Sequence, residues 1–329
     1  MVQEILPNCI YTIPVRLINS PLKNLNSYII KGKERNLIID LGFNQKECLE
    51  DMSNGLRELD IDINKTDIFL THHHSDHTGL TPVIASPNSK IYMGTNDIPI
   101  FYNFAVRDKV YLDAVKDLAI KNGFPEEEYQ LSLKKNPGRA YSSPEKFDCI
   151  PVNDGDTITV DSIELKCVLT AGHSPGHTSL YNEKNKIMFL GDHVLFDITP
   201  NITLRPYQVN PLLDYMENLE KIKKYDVEKP LPAHRKSGAS LNKRVDELIQ
   251  HHKTRLQEII DIIGSSPDIT GYDVASRMHW SIKAKNWGEF PIGQKWFATS
   301  EANAHLNYLV KNGSLNYKTI DGIYRYYLN

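Results

Sequence analysis

The apolar pattern changes period several times along the chain, and the order of the changes predicts a mixed α/β protein. Short β-branched runs at Ile10–Ile13, Ser27–Ile30 and Asn36–Asp40 are separated by turn residues and predict strands. Over residues 46–58 the spacing becomes helical, with Cys48, Leu49, Met52 and Leu56 on one face. Strands are predicted again at 67–70 and 90–94. In "SIELKCVLT", Ile163, Leu165, Cys167 and Leu169 alternate with their neighbours, and "KIMFLGD" (186–192) reads as a buried strand ending at an aspartate.

Two stretches break this rhythm. Residues 96–145 read as a mostly helical insertion. Tyr111, Val115 and Leu118 lie on one helical face that ends near Gly123, Pro125 opens a second helix, and "NPGRAYSSP" reads as loop. From residue 241, Val245, Leu248, His252, Leu256, Ile259 and Ile263 share one face of a long helix closed by Gly264. "GYDVASRMHW" predicts a short second helix and "SEANAHLNYLVKNG" a third. "SLNYKTIDGIYRYYLN" predicts a hairpin turning at Asp321-Gly322. Three helices and a terminal hairpin are the parts of a winged helix-turn-helix. The chain therefore divides into a catalytic part, 1–240, and a winged-helix-like accessory part, 241–329. Trp287 and Trp296 read as loop residues packing on the insertion.

Composition narrows the class. The 329 residues are 40% hydrophobic and 24% charged, with a net charge of −3, so no global field draws the chain to nucleic acid or a membrane. Residues 241–329 hold 11 Lys/Arg and 9 Asp/Glu, a net of +2, which is weak for a nucleic-acid module. The N-terminus shows no basic stretch followed by an apolar run, and nothing approaches 18 uninterrupted apolar residues. Cys9, Cys48, Cys149 and Cys167 are scattered and form no CxxC. A cytoplasmic protein with reduced cysteines, acting on a small-molecule substrate, is expected; a homo-oligomer stays open.

The candidate chemistry is concentrated in "THHHSDHTG", residues 71–79. In an extended segment residues i and i+2 point the same way. His72 and His74 can then grip one ion while His73 faces elsewhere, and after a turn Asp76 and His77 can reach a second. Three further candidates follow in order: His173 in "AGHSPGH", Asp192 in "FLGDH", where a strand-end carboxylate could bridge two ions, and His234 in "LPAHR".

These motifs resemble the metallo-β-lactamase superfamily, and within it the glyoxalase II-like hydrolases. "THHHSDHTG" matches T-H-x-H-x-D-H-x-G, "GHSPGHTSL" matches G-H-[ST]-P-G-H-[ST], "FLGD" matches a strand ending in Gly-Asp, and "LIIDLG" (37–42) matches an early I-D-x-G turn. The resemblance implies an αββα sandwich with two divalent metal ions at one edge, zinc first, with iron or manganese as alternatives. It implies that His72, His74 and His173 hold the first ion, that Asp76, His77 and His234 hold the second, and that Asp192 bridges them. His177 would support the site without ligating, and Asp40 would order the loops beneath it. One departure stands out: the usual P-G-H-G reads Pro232-Ala233-His234-Arg235 here, placing Arg235 as a candidate substrate-binding cation. His251, His252, His279 and His305 match no ligand motif.

Two adjacent cations lower the pKa of a shared water from 15.7 toward about 7 and so supply hydroxide at neutral pH. The expected activity is hydrolysis of an ester, thioester, lactone or related bond, with Asp76 orienting the nucleophile. The rival readings are a phosphodiesterase or ribonuclease of the same fold and an iron-dependent persulfide-type oxidoreductase.

Overall fold

A computed structural model describes residues 2–238 and 240–329. Its contacts form two compact units. The first gathers residues through Arg107, Pro137–Pro200 and Asn218–Val245; the second gathers Asp108–Asn136, Asn201–Glu217 and Asp246–Asn329. Residues 108–136 of the helical insertion therefore cluster with the C-terminal helices, while its two ends, 96–107 and 137–145, cluster with the strands flanking it in sequence.

The first unit holds two sheets. One contains β1 (Gln3–Leu6), β2 (Ile10–Arg16), β3 (Asn24–Ile30), β4 (Asn36–Ile39), β5 (Thr66–Leu70), β6 (Ile91–Gly94) and β7 (Ile150–Val152), hydrogen-bonded in that order. Its first four strands are antiparallel and its last four parallel. The other contains β8 (Thr157–Val160), β9 (Ile163–Leu169), β10 (Thr178–Asn182), β11 (Ile187–Gly191) and β12 (Lys229–Pro232), ordered β12-β11-β10-β9-β8. The pairings there are antiparallel except β11 with β12.

Alternation along the strands explains the layering. Tyr28, Ile30, Leu37, Ile39 and Phe69 point one way and pack with Leu165, Cys167, Leu180 and Phe189 of the second sheet. Tyr28 meets Phe189 edge-on at 5.3 Å between ring centroids. Their neighbours Ile29, Ile38, Ile68 and Leu70 face outward, against Cys48, Met52 and Leu56 of the helix Lys46–Glu58. The central strands are thus buried on both faces, which is why they read as continuous apolar runs rather than as alternation.

The strand directions place the chemistry. β4, β5 and β6 run parallel, so their C-terminal ends deliver Asp40, the 71–79 loop and Asp97 to one edge. β9 and β11 both run antiparallel to β10, and β12 runs parallel to β11, so His173, Asp192 and His234 follow strand ends that point one way. The helix Pro211–Ile222 and β12 fall where the apolar pattern predicts no element.

In the second unit Ala119, Phe124 and Tyr129 of the insertion pack with Tyr272, Ile292 and Trp296. The Trp296 ring lies 5.5 Å from Phe124 and 5.6 Å from Tyr129, so it does pack on the insertion. It does so from inside a helix, Ile292–Lys311, that begins eight residues before the predicted start at Ser300. Gly293 in the first turn and Pro291 just before it had suggested a loop; both are tolerated because a helix's first amides need no internal acceptor. The long helix runs Leu241–Ser265 with Gly264 inside it. β13 (Leu315–Ile320) and β14 (Ile323–Leu328) form the hairpin, with Asp321 at φ +51° and Gly322 at φ +79° as its two-residue turn requires. Among the described residues, no helix is long and apolar enough to cross a membrane.

Candidate metal centre

After β5 the chain bends through Thr71–His73 and, from an extended His74, turns into the short helix Ser75–Thr78. The predicted alternation holds. His72 Nε2 and His74 Nδ1 lie 2.8 Å apart, while His73 turns away and donates both its backbone N–H and its Nδ1–H to Asp97 Oδ2, each at 2.9 Å. The helical turn then brings Asp76 and His77 to the same edge.

His173 joins from the second sheet, its Nε2 at 2.9 Å from His74 Nδ1. Three imidazole nitrogens therefore converge on one point. A single proton can bridge only two of them, which leaves a third lone pair facing the others. A cation satisfies all three, and this is the arrangement that zinc-like ions take from histidine. His72, His77 and Asp192, and also Asp76, His77 and His234, form two further groups whose ligand atoms lie within 4.8 Å of one another.

Asp192 faces both sides. Its Oδ2 lies 3.5 Å from His173 Nε2, while its Oδ1 lies 3.3 Å from His234 Nε2 and 3.8 Å from His77 Nε2. Asp76 Oδ2 is 3.4 Å from His234 Nε2 and 3.9 Å from His77 Nε2. His77 Nε2, His234 Nε2 and Asp192 Oδ1 are buried without hydrogen-bond partners. Buried polar atoms left unpartnered in this number are costly in a protein interior, and a cation among them would offset that cost. The residues present thus fit a pair of divalent ions.

The surrounding hydrogen bonds set the tautomers. His77 donates Nδ1–H to Asp40 Oδ2 at 2.8 Å, and His234 donates Nδ1–H to the Asn24 carbonyl at 2.8 Å, leaving each Nε2 for an ion. Asp40, at φ +59°, also accepts Thr71 N–H at 2.9 Å and Thr71 Oγ–H at 2.8 Å, so it does order the loop beneath the site. His177 accepts the Asp192 N–H at its Nε2, 3.0 Å away, and supports the site from below. Gly191 allows this. It sits at φ +52°, and a Cβ there would lie 2.5 Å from His177 Nε2.

Electrostatics follow from burial and contact. Burial and the neighbouring imidazoles push His72 well below the ordinary histidine range, so its ring stays neutral, the form a metal would need. Burial pushes Asp192 upward, but His234 and His77 outweigh it and hold the carboxyl well below the usual range. Burial would likewise lower His234; Asp192 and Asp76 instead raise it to about 10. Two carboxylates that attract a proton to that nitrogen attract a metal cation there equally well.

Arg235 sits in the left-handed region at φ +65°, and its guanidinium Nη2 donates to the Pro21 carbonyl. Asn26 Nδ2 donates to the Arg235 carbonyl at 2.9 Å. The side chain is thus partly engaged in holding the 20–26 segment beside His234. His193 is buried, and burial pushes its pKa down to about 3. Asp97 escaped the sequence reading. It follows a strand, as Asp192 does, but in "GTND" it lacks any recognisable spacing to another ligand type. Besides His73 it accepts Ser174 Oγ–H and Gly176 N–H, each at 2.6 Å. Burial would raise its pKa, but His73 and the other donors hold it near 2.

A family model described as the metallo-beta-lactamase superfamily matches residues 22–234. A beta-lactamase-like protein 2 homolog of Caenorhabditis elegans is 26% identical over 267 residues, covering 80% of this chain and 74% of that protein. An atrochrysone carboxyl ACP thioesterase of Aspergillus fumigatus is 28% identical over 188 residues, covering 56% of this chain and 34% of the thioesterase. The crystal structure of the metallo-beta-lactamase family protein TTHA1429 from Thermus thermophilus superposes with a TM-score of 0.84 at 25% identity, covering 98% of this chain and 99% of that one.

Proposed function

The chain belongs to the metallo-beta-lactamase superfamily, and from that premise we propose that it is a dinuclear metal-dependent hydrolase of the glyoxalase II-like kind, acting on a thioester, ester or lactone. The observation that carries this is Asp192, which turns one carboxylate oxygen to His173 and the other to His77 and His234. Two divalent ions would be held by His72, His74 and His173 and by Asp76, His77 and His234, with Asp192 shared between the two groups. Bound there, two divalent cations, zinc by the histidine-rich donor set, supply Lewis acidity and an acidified water. Asp76 orients the attacking water and carries a proton toward the leaving group. His77 and His234, each fixed by its Nδ1–H, hold the second site's geometry while charge moves.

Among acyl substrates a thioester is favoured, because relatives matching over about half of this chain are named carboxyl ACP thioesterases. Arg235, beside His234, selects an anionic substrate through its remaining donors. The region from residue 241, three helices and a hairpin, is taken as a winged-helix-like accessory element of a cytoplasmic enzyme rather than a nucleic-acid reader, given its net charge of only +2.

Elemental analysis of protein prepared without chelator is expected to find about two ions per chain. A panel of thioesters, lactones, phosphodiesters and RNA should give turnover on the acyl substrates. Reproducible absence of metal after reconstitution overturns the reading, and turnover of RNA alone reassigns it to the ribonuclease rival. Arg235→Ala should raise KM for an acidic substrate more than for its neutral analogue; equal effects would remove Arg235 from the substrate site.

A further inference from the structure

We propose that Asp97 is a positioning residue that joins the two loops carrying the first histidine triad and sets the affinity of that metal site; this rests on the metal reading above. Asp97 lies just beyond β6, fully buried, and its N–H bonds the Gly94 carbonyl at 2.9 Å. Four donors converge on its carboxylate: His73 N–H and Nδ1–H at 2.9 Å, and Ser174 Oγ–H and Gly176 N–H at 2.6 Å.

The first two donors come from the loop after β5 and the other two from the loop between β9 and β10. His73 stands directly beside the candidate ligands His72 and His74, and Ser174 stands beside His173. One side chain therefore grips the immediate neighbours of all three ligands, across the join between the two sheets. The backbones are interlocked at the same place. A Cβ on Gly94 would lie 1.9 Å from the Gly176 carbonyl oxygen, and one on Gly176 would lie 2.4 Å from the Asp97 nitrogen. His73 is further fixed by stacking on Phe104, with centroids 6.1 Å apart and planes 10° apart.

This arrangement requires an ionised carboxylate. Oδ2 receives three donors and Oδ1 receives the fourth, so both oxygens act only as acceptors. An asparagine places its NH2 against either Gly176 N–H or the His73 and Ser174 donors, and at least one buried donor then faces another. Residues that hold metal ligands indirectly in this way commonly change metal affinity by about 10- to 100-fold when altered.

The test titrates full-length, metal-free protein with zinc against a competing chelator, and with cobalt followed by its absorption spectrum. Asp97→Asn should weaken the His72/His74/His173 site by about 10- to 100-fold and alter its cobalt bands, while the Asp76/His77/His234 site changes by less than about threefold. Ser174→Ala and His73→Ala each remove one donor and should weaken the same site by less, still reaching full occupancy at saturating metal. If Asp97→Asn does not fold, these two decide the matter. Affinity within twofold of wild type in every folded variant overturns the inference, as does equal weakening of both sites. If wild-type protein takes up no metal, the proposed function fails along with it; if wild type takes up two ions and the variants match it, only the role of Asp97 fails.

Discussion

Two groups of buried histidines, one in each unit, look alike in composition and differ in what their protons can do. In the second unit His305 donates Nδ1–H to the Glu301 carbonyl at 2.8 Å, and its Nε2 then accepts Nδ1–H from His252 at 3.0 Å. Donor follows acceptor along the chain, each ring is neutral, and burial lowers both pKa values, His305 to about 3. In the first unit the rings of His72, His74 and His173 present three lone pairs to one point. The first pattern hands a proton from ring to ring and leaves one nitrogen, His252 Nε2, without a partner, whereas in the second three ring nitrogens meet at one point, as a cation would need. Burial alone therefore does not mark a metal site; the direction of the lone pairs does.

The comparison breaks most visibly if ligands are exchanged for alanine. His173→Ala should empty the first site and abolish hydrolysis, a loss larger than the about 10- to 100-fold in affinity that follows from an altered supporting residue. Metal analysis and turnover on the same sample check this. Retention of both ions in His173→Ala would dissolve the distinction between the two groups.

The second group should respond in stability and not in metal content. His305→Leu leaves the His252 Nδ1–H buried without its acceptor, a cost of about 1–3 kcal/mol. Denaturant unfolding should register that cost while zinc stoichiometry stays at the wild-type value.

A pH test sharpens the contrast further. Glu301 is buried, and its pKa is raised from 4.5 to about 7 by burial, with Arg255 and the Asn201 hydrogen bond opposing. Below pH 4.5 the carboxyl is neutral in both folded and unfolded chains, and its contribution is fully present. As pH rises through 7 the unfolded chain ionises first, so stability is lost, by at most about 3 kcal/mol. His305 acts in the opposite sense: its folded pKa is depressed, so its contribution is present above 6.5 and lost as pH falls toward 3. Glu301→Gln keeps the acceptor for Asn201 and removes the titration. Chelator-treated variant protein should therefore gain on wild type as pH rises from 4.5 to 8. Parallel stability curves for the two proteins would show that Glu301 ionises freely.

Much of the first unit was legible because its signals are local. The apolar runs at 27–30, 37–39 and 67–70 are strands whichever sheet they join, and the alternation that separates His73 from His72 and His74 is a property of any extended chain. The second unit was less legible. The helix Ile292–Lys311 is missing its first two turns in the sequence reading because its apolar residues face the insertion, far away in sequence, and leave only a weak amphipathic period. The association of 108–136 with 246–329 was anticipated only through Trp287 and Trp296, since Phe124 and Tyr129 read equally well as packing on their own neighbours.

The sequence by itself determined the candidate ligand types, their order and the loops that bear them, because spacing after a strand end dictates which side chains share a face. Only the tertiary structure decided that Asp192 turns one oxygen to each triad, that Asp40 and the Asn24 carbonyl fix the tautomers of His77 and His234, and that Asp97 clamps the loops of His73 and Ser174 together. Those contacts join residues 19 to 210 positions apart. Hydrogen-bond direction over such separations depends on how two sheets pack, and no periodicity in the chain encodes it.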